Sequence, residues 1–266
     1  TMLTQCYMKQ NNLFNKNQYG FRKGRSTTLG LQLLKVLDEI TEQIDCGYEV
    51  DVIYTDFRRA FDSVSHKKLL LKLVKLGVNE SLCKWIKEFL IARQQRVKIK
   101  GLCSSWADVL SGVPQGSVLG PLLFVIYIND ISKDLESQTF LYADDMKICR
   151  AMKEDDDRSV LQRDLDSVAD WTERWGLSLN LSKCGILGIG HRGEERDSYE
   201  VQLGGVKQKL NIITSEKDLG VLVDDELEFE THIAEITQNA NKILGVIKRN
   251  FRNIGRNTFC FCISQW

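Results

Sequence analysis

Two short apolar runs in this chain each end on carboxylates, and this restricts its possible folds more than any other feature. Val50 to Thr55 reads as a buried strand that stops at Asp56. Phe140-Leu-Tyr-Ala stops at Asp144-Asp145, and Met146 to Arg150 continues as a second strand. A carboxylate at the end of a buried strand adds nothing to packing and is costly to desolvate. An Asp-Asp pair alone is ordinary turn chemistry. With Asp56 beside it, the pair says more, because gathered carboxylates repel unless a cation joins them. Mg²⁺ favours one or two carboxylates completed by phosphate oxygens. Two such ions can activate a hydroxyl and stabilise a leaving pyrophosphate.

The rest of the chain reads as α+β. Helices are predicted over Leu29–Asp45, Ser65–Leu76, Ser81–Ile91, Leu122–Ile131, Arg158–Trp175 and His232–Phe251, from apolar residues recurring at helical spacing. Further strands are predicted at Arg96–Lys100, Ile186–Ile189, Val201–Leu203 and Leu219–Val223, with a loop from Gly112 to Gly120. Thr1 to Lys16 is polar and weakly patterned. Length, at 266 residues, allows one large domain or two modest ones. The longest apolar run, Leu122 to Ile128, is too short to span a bilayer. The eight cysteines contain no CxxC, so they read as buried small hydrophobes in a reducing, intracellular setting. His66, His191 and His232 are scattered, and no histidine metal site is expected.

Lys+Arg and Asp+Glu number 36 each, but they are unevenly spread. Asn15–Lys35 and Asn241–Arg256 carry basic residues and no acid, and Ser63–Lys100 carries ten basic residues against two acids. Such stretches suit a surface that tracks a polyanion, or equally solvated helix faces. Asp155, Asp156 and Asp157 read as the solvated start of a helix, where negative charge suits the dipole. Trp171 and Trp175 read as core, and Asp62 as a structural or capping acid.

Several segments resemble reverse transcriptase motifs, in the family's order. Val50-Asp-Val-Ile-Tyr-Thr-Asp-Phe-Arg-Arg-Ala-Phe-Asp-Ser-Val-Ser-His66 resembles motif A, Ser111-Gly-Val-Pro-Gln-Gly-Ser117 motif B, and Tyr142-Ala-Asp-Asp145 motif C. Asn17-Gln-Tyr-Gly-Phe-Arg-Lys-Gly-Arg-Ser-Thr27 resembles the finger motif before them. Leu177-Ser-Leu-Asn-Leu-Ser-Lys-Cys184 looks like motif D, and Lys217-Asp-Leu-Gly-Val-Leu-Val-Asp224 like motif E, the primer grip. The wording is that of non-LTR, LINE-type retrotransposons of the chicken-repeat and jockey-like branch. The resemblance runs from about Asn17 to Phe251.

The resemblance implies a right-hand polymerase that uses an RNA template, a DNA primer, deoxynucleoside triphosphates and two Mg²⁺ ions, with Mn²⁺ a possible substitute. Fingers would span 1–47 and 66–110, palm 48–65 and 111–226, and a partial thumb 227–266. Asp56, Asp144 and Asp145 would be the metal ligands. Phe57 would lend its backbone carbonyl, and Gln115 and Gly116 would meet the incoming nucleotide. Arg22 and Arg25 are alternative triphosphate contacts. Phe61 would be the steric gate, where its residue type alone says core ring. Lys183 would protonate pyrophosphate, where its residue type alone says solvated lysine. Leu219, Gly220 and Val221 would form the primer grip, and Lys248, Arg249 and Arg252 would hold nucleic acid. Complete elements carry more chain on both sides, and Phe259–Trp266 departs from the family pattern. The chain therefore reads as a fragment or relic, and a silent nucleic-acid-binding remnant is the alternative function. A metal-dependent nuclease is the third; it would not need the Gln115 loop, the Phe61 gate or a primer grip.

Overall fold

The computed structural model describes residues 2–21, 29–190 and 198–250. Its first elements are α1 (Met2–Gln10), α2 (Leu29–Asp45), β1 (Glu49–Thr55), α3 (His66–Lys75) and α4 (Glu80–Leu90). Four two-residue strands follow: β2 (Gln94–Gln95), β3 (Lys98–Ile99), β4 (Leu102–Cys103) and β5 (Ala107–Asp108). Then come α5 (Gly120–Tyr127), β6 (Gln138–Tyr142), β7 (Asp145–Met152), α6 (Asp157–Trp175) and β8 (Gly185–Ile189). The chain continues through β9 (Glu200–Leu203), β10 (Val206–Lys209) and β11 (Asn211–Ile213). The last elements are β12 (Ser215–Asp218), β13 (Val221–Asp224) and α7 (Glu230–Asn250). The chain divides into two units, Thr1–Thr214 and Ser215–Trp266.

The first unit is built on a five-stranded sheet, ordered β11-β8-β1-β7-β6, with every pairing antiparallel except β11 on β8. β1 is central. Val52 and Ile53 are fully buried, and every residue from Val50 to Thr55 is buried because the strand is covered on both faces. α5 is apolar all round and every one of its residues from Leu122 to Tyr127 is buried, which is the pattern of a core helix. Pro121 opens it, where its missing N–H costs nothing. α6 buries Leu161, Leu165 and Val168 along one stripe and ends at Gly176, whose φ of 76° closes the last turn. In the second unit β12 and β13 form a hairpin, and the Asp224 carboxylate accepts from the Glu228 and Phe229 amides just before α7.

Several expectations need correction. α1 escaped the sequence reading because its polar, weakly patterned residues give no periodic signal; among its described side chains Met8, fully buried, and Tyr7, whose hydroxyl donates to the Leu76 and Gly77 carbonyls, tie it down. α5 starts two residues before the expected helix and stops at Tyr127. The strand expected at Arg96–Lys100 is broken, and β2 to β5 form exposed two-residue pairings across Gln94–Asp108. Residues 219 and 220 form a turn, with φ of 48° and 90°, so the strand begins at Val221. The cysteines divide: Cys83, Cys149 and Cys184 are buried, while Cys6, Cys46 and Cys103 are exposed. Asp157 is buried rather than solvated. It accepts from the Lys153 and Glu154 amides and pairs with Arg150 at 2.7 Å. Burial opposes its charge, but these partners outweigh burial and hold the carboxyl below the ordinary range.

Trp171 and Trp175 do belong to the core, where they enclose a buried lysine. Lys72 is 5% exposed. Its Nζ lies 3.7 Å from the Trp175 ring centroid and 4.7 Å from that of Trp171, and it donates to the Tyr127 carbonyl and to Asp130 Oδ1. Trp171 Nε1 donates to the same carboxylate oxygen at 3.1 Å. Burial pushes the ammonium down from 10.5 to about 8 despite the Asp130 carboxylate. Between those two values the unfolded chain holds more protons than the folded one, so stability rises with pH across the window. Wild type should therefore gain up to about 3 kcal/mol over Lys72→Met between pH 8 and 10.5. Urea unfolding of the two proteins measures this, and an unchanged difference would contradict the burial of the charge.

Candidate active site

The pairing of β1 with β7 sets the frame. Thr55 faces Met146, so Asp56, the next residue, comes level with the turn between β6 and β7. Tyr142 pairs with Asp145, which leaves Ala143 and Asp144 as that turn. Ala143 sits at a φ of 56°, a conformation that costs a non-glycine residue roughly 1 kcal/mol or more. Gln18 holds it there: its Oε1 accepts from the Ala143 amide at 3.0 Å and from Gly20 N at 2.8 Å. Asn17 and Tyr19 meanwhile exchange backbone bonds with Leu141. Gly20 is obligatory, because a Cβ there would stand 2.3 Å from Ala143 N.

The Gly112–Gly120 loop is laced to the turn after β1. Gly112 N donates to Val64 O, Val113 N to Phe61 O, and Ser111 Oγ to Asp62 O, at 2.8–2.9 Å. A Cβ on Gly112 would meet the Asp62 backbone at 2.7 Å, so only glycine allows this approach. The Arg93 guanidinium and the His66 ring converge on the Gly112 carbonyl, each at 2.8 Å. The loop is thereby fixed with Gln115 beside the strand end. Gln115 Nε2 donates to Asp62 Oδ1 at 3.0 Å.

Asp56, Phe57, Phe61, Gln115, Asp144, Asn180 and Lys183 line one cleft of about 650 Å³. Burial pushes the Asp144 carboxyl above the usual carboxylate range, and the charge of Asp56 adds to that push. Lys183 Nζ stands 3.9 Å from Asp56 Oδ2, with its side chain two-thirds exposed. Phe61 has two faces: its ring stacks on Phe124 at 4.4 Å, and it also lines the cleft. Both readings of Phe61, core ring and pocket wall, therefore describe the same side chain. Phe57 buries its side chain in the core.

Two like charges facing one cleft, one of them disfavoured by its surroundings, form a donor set that a divalent cation would relieve. Two carboxylates plus phosphate oxygens suit Mg²⁺. The expected third ligand is Asp145, the residue that follows Asp144. Asp145 opens β7, is exposed and does not line the cleft, and no three His, Cys, Asp or Glu side chains gather among the described residues. Gly116 is exposed, with open space where a Cβ would point. Arg22, Arg25 and Arg252 lie outside the described residues. Leu219, Gly220 and Val221 form the β12–β13 turn of the second unit, and Lys248 and Arg249 end its helix.

Sequence reasoning missed three polar residues that shape the cleft: Gln18, Asp62 as the acceptor for Gln115, and Asn180. Each acts on a residue remote in sequence. The available signal was position alone, since all three sit inside or beside the quoted motifs.

A family model described as reverse transcriptase (RNA-dependent DNA polymerase) matches residues 1–247. The probable RNA-directed DNA polymerase from transposon X-element of Drosophila melanogaster is 30% identical over 235 residues, which is 86% of this chain and 25% of that protein. The RNA-directed DNA polymerase from mobile element jockey of the same organism is 31% identical over 232 residues, 84% of this chain and 25% of that protein. The chain thus spans about a quarter of the length of these curated relatives. Among solved structures, telomerase from Candida tropicalis, in complex with the TWJ fragment of telomeric RNA, matches with a TM-score of 0.55. That match covers 86% of this chain and 36% of the other at 10% identity, a likeness of fold alone. With the family model running through every segment that builds the cleft, the chain belongs to the reverse transcriptase family, alongside the polymerases of non-LTR retrotransposons such as jockey.

Proposed function

We propose that this chain catalyses RNA-templated DNA synthesis in the cleft between Asp56 and Asp144. The observation that carries the reading is the delivery of these two carboxylates by neighbouring strands to one cleft that also holds Gln115, Phe61 and Lys183. The relatives' polymerase names support it. In this reading fingers span 1–47 and 66–110, the palm spans 48–65 and 111–226, the partial thumb spans 227–266, and the partners are an RNA template, a DNA primer and deoxynucleoside triphosphates.

Asp56 and Asp144 would hold two Mg²⁺ ions, with Asp145 and the Phe57 carbonyl completing the donor set. The ions would lower the pKa of the primer 3′-hydroxyl and neutralise the triphosphate. Gln115, held by Asp62, presents a fixed amide to the incoming nucleotide, and Gly116 leaves its backbone open to close approach. Phe61, supported by Phe124, closes the sugar side and leaves no room for a 2′-hydroxyl. Lys183, on the rim beside Asp56, is placed to give its proton to departing pyrophosphate.

Asp144→Asn should lower primer extension on an RNA template by about a thousandfold or more while primer–template affinity persists. Joint loss of extension and binding would point to misfolding instead. Binding without extension in the wild-type chain would favour the silent-remnant reading.

Phe61→Val should raise ribonucleotide incorporation relative to deoxyribonucleotide by about 10–200-fold, the range set by one apolar contact. Equal discrimination in both proteins would move the gate elsewhere.

Primer–template affinity should fall steeply between low and physiological salt. Replacing Lys248, Arg249 and Arg252 together should reduce the log–log slope by up to about 3 and shorten products, with less effect on the first addition. A salt-independent affinity would remove the polyanion surface from the reading.

A further inference from the structure

The turn that follows α6 and Gly176 does more than carry Lys183. From Ser178 to Cys184 it runs beside the end of β1 and bonds to it repeatedly. Arg58 N donates to Ser178 O, and Asn180 N donates to Asp56 O, both at 2.8 Å. Cys184 Sγ lies 3.5 Å from Asp56 N. The contact of interest is between side chains. Asn180 Nδ2 donates to Asp56 Oδ2 at 3.1 Å, and Ser182 Oγ donates to Asn180 Oδ1 at 2.8 Å.

The chemistry of this chain of contacts leaves one arrangement. An ionised carboxylate only accepts, so the amide must turn its NH₂ toward Asp56 and its oxygen toward Ser182. The hydroxyl fixes the amide, and the amide fixes the carboxylate. Lys183 Nζ approaches the same oxygen at 3.9 Å. The Asn180 hydrogen bond and the Lys183 charge therefore both act on Oδ2 of Asp56, and neither engages Oδ1. These contacts restrain a side chain that is one-third exposed.

We infer that Asn180 is a positioning residue for Asp56, and that Ser182 orients Asn180 in turn. The inference rests on the two-carboxylate reading above and deepens it. Residues that orient a metal ligand through a hydrogen bond typically carry a 10–100-fold effect on metal affinity or activity when removed.

The test uses the whole chain and Mn²⁺ as the probe, with binding followed by water-proton relaxation so that weak affinity is measurable. Wild type, Asp56→Asn, Asn180→Ala and Ser182→Ala are compared, each with a thermal melt. Asp56→Asn should remove the specific binding. Asn180→Ala should weaken it by about tenfold or more, and Ser182→Ala by a few-fold, with little change in melting. In primer extension, Asn180→Ala should lower kcat while KM for the nucleotide changes little. Mn²⁺ binding that responds to Asp56→Asn but stays at wild-type strength in Asn180→Ala would overturn the positioning role and leave the metal reading standing. Wild-type binding that is indifferent to Asp56→Asn would overturn both. Should Asn180→Ala fail to fold, Ser182→Ala decides alone, and wild-type affinity in that variant overturns the inference.

Discussion

The antiparallel pairing of β1 with β7 is the constraint on which the cleft depends. Its register, with Thr55 opposite Met146, sets how far each strand projects beyond the sheet. A slip of one residue would exchange the side chains packed on the two covered faces of β1 and carry Asp56 away from the β6–β7 turn. Such a slip is strongly resisted because Val52, Ile53 and Ile148 are fully buried. The proposed catalytic geometry is thus held by apolar packing some distance from the charges themselves.

The polar contacts then refine what the sheet has placed. Asp144 is driven toward its neutral form by burial and by Asp56, so the cleft is electrostatically unfavourable as it stands. Such a site persists because its neighbours are over-determined. Gln18 clamps the turn that carries Asp144, Gly112 locks its loop against Asp62, and Asn180 holds Asp56. Each of these residues comes from a different part of the chain. Binding of a divalent cation would relieve the repulsion, so the resting strain and the proposed activity have one physical origin.

The strongly periodic segments were legible from residues alone. β1, β6, β7, α3, α4, α6 and the core position of Trp171 follow from burial patterns and caps that are local properties. Asp56 and Asp144 could be named because carboxylates are unusual at the ends of buried strands, whereas Gln115 and Phe61 could be named only from the resemblance of their segments to family motifs. The weak points were segments whose order comes from a few distant contacts. α1 hangs on Tyr7 and Met8, β2 to β5 are single pairings, and the burial of Asp157 needs Arg150, seven residues away on the preceding strand.

Sequence by itself determined the fold class, the order of the motifs and the residue types that chemistry at the strand ends requires, because hydrophobic period and turn chemistry act over a few residues. Tertiary structure alone decided which polar groups meet. Lys72 enters an aromatic enclosure, Asp62 grips Gln115, and Asn180 reaches Asp56 across 124 positions. A hydrogen bond depends on distances of about 3 Å and on direction. Only the folded sheet brings such groups that close, so no local pattern in the sequence encodes those partnerships.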